Sequence, residues 1–214
     1  MSDTQIPNSK GRDDFARQMD VSRETLARFS CWHELLCKWS KKINLVAPGT
    51  LPAFWTRHAL DSAQLAALVP KEVKRLIDLG SGAGFPGLAI ALMRMENDPV
   101  HVTLVESNAK KAAFLRVCIE ETGAPAEVIC ARSESLPPQV YDVITARALA
   151  PLPRLLALSA PFVGPQTVQL FPKGAEVKTE ISEACKDWTL AYETIPSMTE
   201  KAASILKIRK AHRV

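Results

Sequence analysis

From Arg75 onward, short apolar runs alternate with longer amphipathic stretches. The runs "RLIDLG" (75–80), "VHVTLVE" (100–106), "AEVICA" (126–131), "YDVITA" (141–146), "QTVQLFPK" (166–173), "WTLAYETI" (188–195) and "ASILKIRK" (203–210) have the length and β-branched content of strands. Helical spacing fills 87–96, 108–122, 151–163 and 174–187 between them, while 132–139 is short and irregular. Strands apolar on both faces, separated by helices, predict a parallel sheet covered on each side. The last two strands are joined only by "PSMTEKA", too short for a helical crossover, so the final strand should insert antiparallel. The fold class expected is α/β, a doubly wound, mostly parallel seven-stranded sheet.

Before Arg75 the period is different. Residues 26, 29, 32, 35, 36 and 39 are apolar, with Ser22 placed as an N-cap, which predicts a helix. "KINLVAPGTLP" breaks it at Pro48, Gly49 and Pro52, and a second helix, "AFWTRHALDSAQLAALV", runs to Pro70. Residues 1–74 are therefore expected to be a helical N-terminal extension or cap, and 75–214 the α/β domain.

With 214 residues, 47% hydrophobic and 23% charged, the chain can bury a sizeable core and lacks the composition of a disordered protein. No run reaches the roughly 18 apolar residues of a membrane span. The polar start "MSDTQIPNSKGRDDF" lacks the apolar centre of a signal peptide. Cys31, Cys37, Cys118, Cys130 and Cys185 are scattered, without metal-ligand spacing, as expected of thiols in a reducing cytoplasm. A cytoplasmic protein without a structural metal, and a monomer, is the expectation.

Charge is uneven. Residues 1–74 carry 11 Lys/Arg against 8 Asp/Glu, 75–200 carry 11 against 15, and 201–214 carry 5 against none. Basic ends around an acidic middle suit a polyanion held at the ends, although ordinary solvated lysines explain them equally well. Lys10, Arg12, Lys38, Lys41, Lys42 and the C-terminal Lys and Arg residues are the phosphate-contact candidates.

The chemistry is concentrated in "RLIDLGSGAGFPGLAIAL", 75–92. A glycine loop between a first strand and a helix lets a nucleotide-type ligand approach the backbone. The loop fits Gly-x-Gly-x-Gly from Gly80 and also Gly-x-Gly-x-x-Gly from Gly82, the dinucleotide frame of an NAD-dependent dehydrogenase. Against a dinucleotide stand Asp78, whose carboxylate would oppose a phosphate, and Pro86, which removes an N–H from an anion nest. "DLGSGAG" resembles instead the first motif of class I S-adenosylmethionine-dependent methyltransferases, whose ligand is a sulfonium cation. Glu106, ending the second strand, is placed to accept ribose hydroxyls and favours neither cofactor. Ser133 and Glu134 follow the third strand, where adenine is gripped in such folds. After the fourth strand the Asn-Pro-Pro-Tyr type motif of exocyclic-amine methylation is absent, and Arg147 stands there, over the expected crevice.

Together, "KINLV" (42–46), "RHALDS" (57–62), "DLGSGAGFPGL" (78–88), "VESNAKKAAFLR" (105–116), "ARSESLP" (131–137), "YDVITARALAPL" (141–152) and "FPKG" (171–174) resemble the RsmG (GidB) family over almost the whole chain. That family consists of bacterial methyltransferases that modify N7 of one guanine in 16S rRNA. The resemblance implies a Rossmann-like fold, S-adenosylmethionine as co-substrate, and 16S rRNA or the small ribosomal subunit as partner. It also implies cofactor positions at Gly80, Phe85, Ser133, Glu134 and Arg147, to which the glycine loop and the second strand end add Gly82 and Glu106. The C-terminus, "RKAHRV", departs from the longer basic tail of many relatives. Guanine N7 carries a lone pair and no hydrogen, so no general base is required. Arg57, His58 and Arg147 are the candidates for positioning the base, N7 and O6 being the edge an Arg fork reads. Against this, Arg57 and Asp61 are spaced i, i+4 and would simply pair on a helix surface. A methyltransferase for another RNA or a small molecule, and a non-catalytic RNA-binding module on the same fold, are the alternatives.

Overall fold

The computed structural model describes residues 9–214, so the first eight residues of the polar N-terminal stretch lie outside the described residues. Strands β1 (Arg75–Leu79), β2 (His101–Val105), β3 (Ala126–Ile129), β4 (Val143–Thr145), β5 (Val168–Lys173), β6 (Trp188–Pro196) and β7 (Ser204–Arg213) form one sheet in the order β3-β2-β1-β4-β5-β7-β6. The first five are mutually parallel, and β7 runs antiparallel between β5 and β6. This is the insertion that the seven-residue link required. β1 and β2 are buried on both faces except at their first residues, and β4 throughout, which is why they read as unbroken apolar runs rather than as alternation.

Two of the helices start at side-chain caps. α2 (Arg23–Trp39) is capped by Ser22, whose hydroxyl accepts the Thr25 N–H. α5 (Ala109–Thr122) is capped by the Asn108 side chain and ends where Gly123 turns left-handed at φ +65°. α4 (Gly87–Arg94) and α5 cover one sheet face, while α6 (Leu152–Ser159) and α7 (Val177–Ala184) cover the other. The N-terminal helices join the first of these layers. Phe29, Trp32, Phe54 and Trp55 belong to one apolar cluster with Leu88, Ile90, Val102 and Phe114. Each fully buried side chain of this size contributes about 1.5–3 kcal/mol relative to exposure.

Two features depart from the sequence pattern. A helix α1 (Ser9–Met19) lies within the polar N-terminal stretch. One aromatic, Phe15, fixes it by packing on Phe29 and Trp55 at 4.9 and 5.5 Å. The helix expected over 53–69 is wound in three pitches. Phe54–Ala59 is π-helical, Leu60–Ala63 (α3) is α-helical, and Gln64–Leu68 is 3-10.

Candidate functional site

The order β3-β2-β1-β4-β5 reverses direction between β1 and β4, and ligands of doubly wound sheets bind outside the strand ends at such a point. A cleft of about 1500 Å3 opens there. That exceeds the roughly 300–1,000 Å3 of a single small-molecule pocket, leaving room for a second ligand. Gly80, Gly82, Phe85 and Glu106 form one wall, with Arg147 beside them; Arg57, His58 and Asp61 come from the N-terminal segment, and Ser197 and Thr199 from the β6–β7 turn.

The glycines serve distinct purposes. Gly82 sits at φ +56° with nothing closer than 3.9 Å to the position a Cβ would take, so its backbone is open to a ligand. Its N–H donates to Glu106 Oε2 at 2.9 Å. Gly87 has no such opening. A Cβ there would lie 2.5 Å from Leu104 and 2.6 Å from Asp78, so glycine lets α4 lie on the sheet. Glu106 also accepts the Asn108 N–H, at 2.7 Å on Oε1. A carboxylate has about four lone-pair positions, so each oxygen keeps one for a ligand hydroxyl.

Asp78 is fully buried beneath the loop and does not line the cleft, contrary to the expectation of an acid beside the ligand. The register sets it opposite Thr145, whose hydroxyl donates to Oδ1 at 2.7 Å, while Oδ2 has no partner. Burial pushes its pKa up to about 6, against the pull of Thr145 and other nearby donors.

Arg147 is enclosed on three sides. Its Nη1 donates to Asp61 Oδ2 at 3.2 Å, its Nη2 to His58 Nδ1 at 3.4 Å, and its guanidinium lies 4.7 Å from the Phe85 ring centre. Burial lowers its pKa, and the Asp61 carboxylate pushes it back up. An Arg only donates, so His58 Nδ1 is the acceptor, and the imidazole proton sits on Nε2, 2.9 Å from Thr50 Oγ1. Burial first, then Arg147 and Arg57, hold the His58 pKa down at about 4, keeping the ring neutral. His58 also stacks on Phe85 at 5.1 Å, and Trp32 closes the far side of Phe85 at 4.6 Å.

Two expectations need correction or placing. Arg57 does not pair with Asp61, which is taken by Arg147; Arg57 is exposed on the cleft wall and makes no ion pair among the described residues. The cause is the π-helical turn, in which the Leu60 N–H bonds back to Trp55 and an i, i+4 pair no longer stacks. Ser133 and Glu134 lie on a 3-10 turn, Ser133–Ser135, outside the cleft lining, with Glu134 3.5 Å from Arg154. Sequence reasoning missed Asp61 as the partner of Arg147, and Lys173 and Glu180, an ion pair at 2.7 Å in the cleft wall. Their one signal was a Lys closing a parallel strand. Among the described residues no group of His, Cys, Asp and Glu is arranged to hold a metal, and no helix is long and apolar enough to cross a membrane.

Comparison with known proteins adds to the geometry. A model of the GidB family, described as rRNA small subunit methyltransferase G, matches residues 25–208. A ribosomal RNA small subunit methyltransferase G of Cereibacter sphaeroides is 47% identical, covering 90% of this chain and 94% of its own length. That of Parvibaculum lavamentivorans is 45% identical over 96% of this chain and 92% of its own. Among solved structures, a putative O-methyltransferase from Klebsiella pneumoniae superposes with a TM-score of 0.60 at 13% identity, over 93% of this chain and 96% of its own. A mutant of MtNAS in complex with S-adenosylmethionine gives 0.58 at 16%, over 93% and 76%. The structures share the fold with this chain.

Proposed function

The chain belongs to the GidB family, rRNA small subunit methyltransferase G, and from that premise we propose that it transfers the methyl group of S-adenosylmethionine to N7 of a guanine in 16S rRNA. The observation that carries this reading is one cleft lined by the open Gly82 backbone, by Glu106, and by Arg57, a cation without an ion pair among the described residues. Cofactor and nucleic-acid chemistry meet over the same strand ends.

The residues present fit the cofactor. Glu106 retains acceptor positions for the ribose hydroxyls, and the open backbone at Gly82 lets a ligand approach the main chain. S-adenosylmethionine supplies an electrophilic methyl, whose C–S bond breaks as the N7 lone pair forms the C–N bond, leaving a neutral thioether and a positive charge on the guanine ring. No proton leaves N7, so no side chain has to act as a base. What the protein contributes is position, since holding two bound partners in line removes most of the entropic barrier to the transfer. Phe85, clamped between Trp32 and the His58–Arg147 pair, forms the rigid back of the cofactor half. Ser133 and Glu134 remain candidates for the adenine end. Neutral His58 holds Arg147 and Thr50 rather than exchanging a proton. Because the N7 lone pair must face the methyl carbon, Arg57 is left to the phosphate beside the target base. We take residues 1–74 as the wall that faces RNA and 75–214 as the unit that binds the cofactor, acting in the cytoplasm as a monomer.

The test is methyl transfer from labelled S-adenosylmethionine to small subunits, and separately to naked 16S rRNA, from cells lacking the gene. 7-Methylguanosine should appear at one site. Label in another RNA or in small molecules only, or none in either substrate, would overturn the proposal.

A further inference from the structure

We propose that Lys173 and Glu180 are the pair that selects guanine as the target base, an inference that rests on the methyltransferase reading above. Lys173 closes β5, and Glu180 lies in the first turn of α7. Nζ donates to Glu180 Oε2 at 2.7 Å and to the Ala150 carbonyl at 3.2 Å, while Oε2 also accepts the Leu152 N–H at 2.7 Å. Two of the three ammonium hydrogens are thereby occupied, and Oε1 has no hydrogen-bond partner among the described residues. Both side chains line the cleft.

Their place in the sheet suits the far edge of the base. β4, with Arg147 beyond its end, lies between β1 and β5, so the pair sits across from the glycine loop. A guanine whose N7 faces the loop turns O6, N1–H and the 2-amino group toward β5. The pair presents a donor next to an acceptor. The third ammonium hydrogen matches O6, and Oε1 matches N1–H and the 2-amino group. Adenine reverses both positions, setting its 6-amino group against the ammonium and a bare N1 against the carboxylate. Buried polar groups left unmatched in this way are what make hydrogen-bonding sites discriminate. The carboxylate has a second effect. Methylation places positive charge on the ring and acidifies N1–H, so the bond to Glu180 strengthens as the transition state forms, and its removal should appear mainly in kcat.

A simple strut between Ala150 and Leu152 would ignore the 2-amino group, and that separates the two roles. An RNA fragment is prepared with guanosine or inosine, which lacks that amino group, at the target position. Wild-type kcat/KM should fall on the order of tenfold with inosine, the scale of one hydrogen bond to a charged acceptor. In Glu180→Gln, an oxygen facing Lys173 and Leu152 leaves only an NH2 toward the base. The guanosine kcat should then fall, and the inosine penalty should shrink to about twofold or less. Affinity for S-adenosylmethionine should stay as in wild type, whereas the urea midpoint should fall, because the largely buried Lys173 loses its counter-charge. If Glu180→Gln does not fold, Glu180→Asp, which keeps a charge beside Lys173 but draws the free oxygen one methylene back from the base, should show the same shrunken inosine penalty. An inosine penalty that is missing in wild type, or unchanged in the variant, overturns the inference while leaving the methyltransferase reading intact. Wild-type protein that methylates neither RNA, whether free or assembled into small subunits, overturns both.

Discussion

Asp61 holds Arg147 at 3.2 Å although 86 positions separate them in the chain. The contact joins the N-terminal segment to the loop after β4. Through Thr199, whose hydroxyl donates to Asp61 Oδ1 at 3.0 Å, it also reaches the β6–β7 turn. Three walls of the cleft therefore converge on one carboxylate.

Removing that carboxylate leaves a largely enclosed guanidinium uncompensated, which is more costly than losing an exposed pair. Asp61→Ala should destabilise the protein by about 2 kcal/mol in urea titrations. The double variant with Arg147→Ala should be less destabilised than the sum of the single variants, since the stranded charge is gone. Strict additivity would show that the two residues do not interact.

Stability against pH carries two opposing contributions in one window. His58, held down at about 4, contributes stability that is full above its ordinary value of 6.5 and is lost as pH falls toward 4. Asp78, pushed up to about 6, contributes stability that is full below its ordinary value of 3.8 and is lost as pH rises through 6. The two oppose each other between about pH 4 and 6. Relative to wild type, His58→Gln should gain stability as pH falls across that window, and Asp78→Asn should gain as it rises. Neither slope should exceed about 1.4 kcal/mol per pH unit. Chemical denaturation at half-unit intervals reads both, and parallel curves for all three proteins would refute the assignment.

The reach of sequence reasoning follows the range of the interactions. Glycine turns, the Ser22 and Asn108 caps and the both-faces-buried strands are local or periodic, so they showed in the one-dimensional pattern. Gly80, Glu106 and Arg147 were found because a parallel sheet delivers every strand end to the same edge. α1 escaped notice because a single side chain, Phe15, anchors it, and one apolar residue makes no period. The partner of Asp61 was misjudged because an i, i+4 argument assumes α-helical pitch, and Phe54–Ala59 does not have it. Lys173–Glu180 was invisible for another reason. Nothing in a strand-end lysine says which carboxylate the next helix will bring to it.

Gly87 offers a sharper check on packing. Ala is the better helix former, so the substitution should help an isolated helix, though by less than the roughly 0.8–1 kcal/mol of a helix interior, since Gly87 is the first residue of α4. Here a Cβ would meet Leu104 at 2.5 Å, Asp78 Cβ at 2.6 Å and Asp78 Oδ2 at 2.8 Å, none of them a loose surface atom. Overpacking of this kind costs about 1–3 kcal/mol and moves backbone. Gly87→Ala should therefore be destabilised in urea and bind S-adenosylmethionine more weakly, because the shift passes along α4 to the loop at Gly82. A stabilised variant would show that α4 stands off the sheet.

Arg57 separates a phosphate contact from a base contact. It is exposed on the cleft wall and without an ion pair among the described residues, so its charge is available to a polyanion. Each phosphate neutralised releases counterion, and the slope of log affinity against log salt records the number of such contacts. If Arg57 grips the phosphate beside the target guanine, Arg57→Ala should weaken RNA binding and reduce that slope by about 1. Affinity for S-adenosylmethionine should not change if, as proposed, the cofactor rests on Gly82, Phe85 and Glu106 in the same cleft. A weakened complex with an unaltered slope would move Arg57 from the phosphate to O6 of the base, where it would share that oxygen with Lys173. Unaltered binding and slope would remove it from the RNA interface altogether.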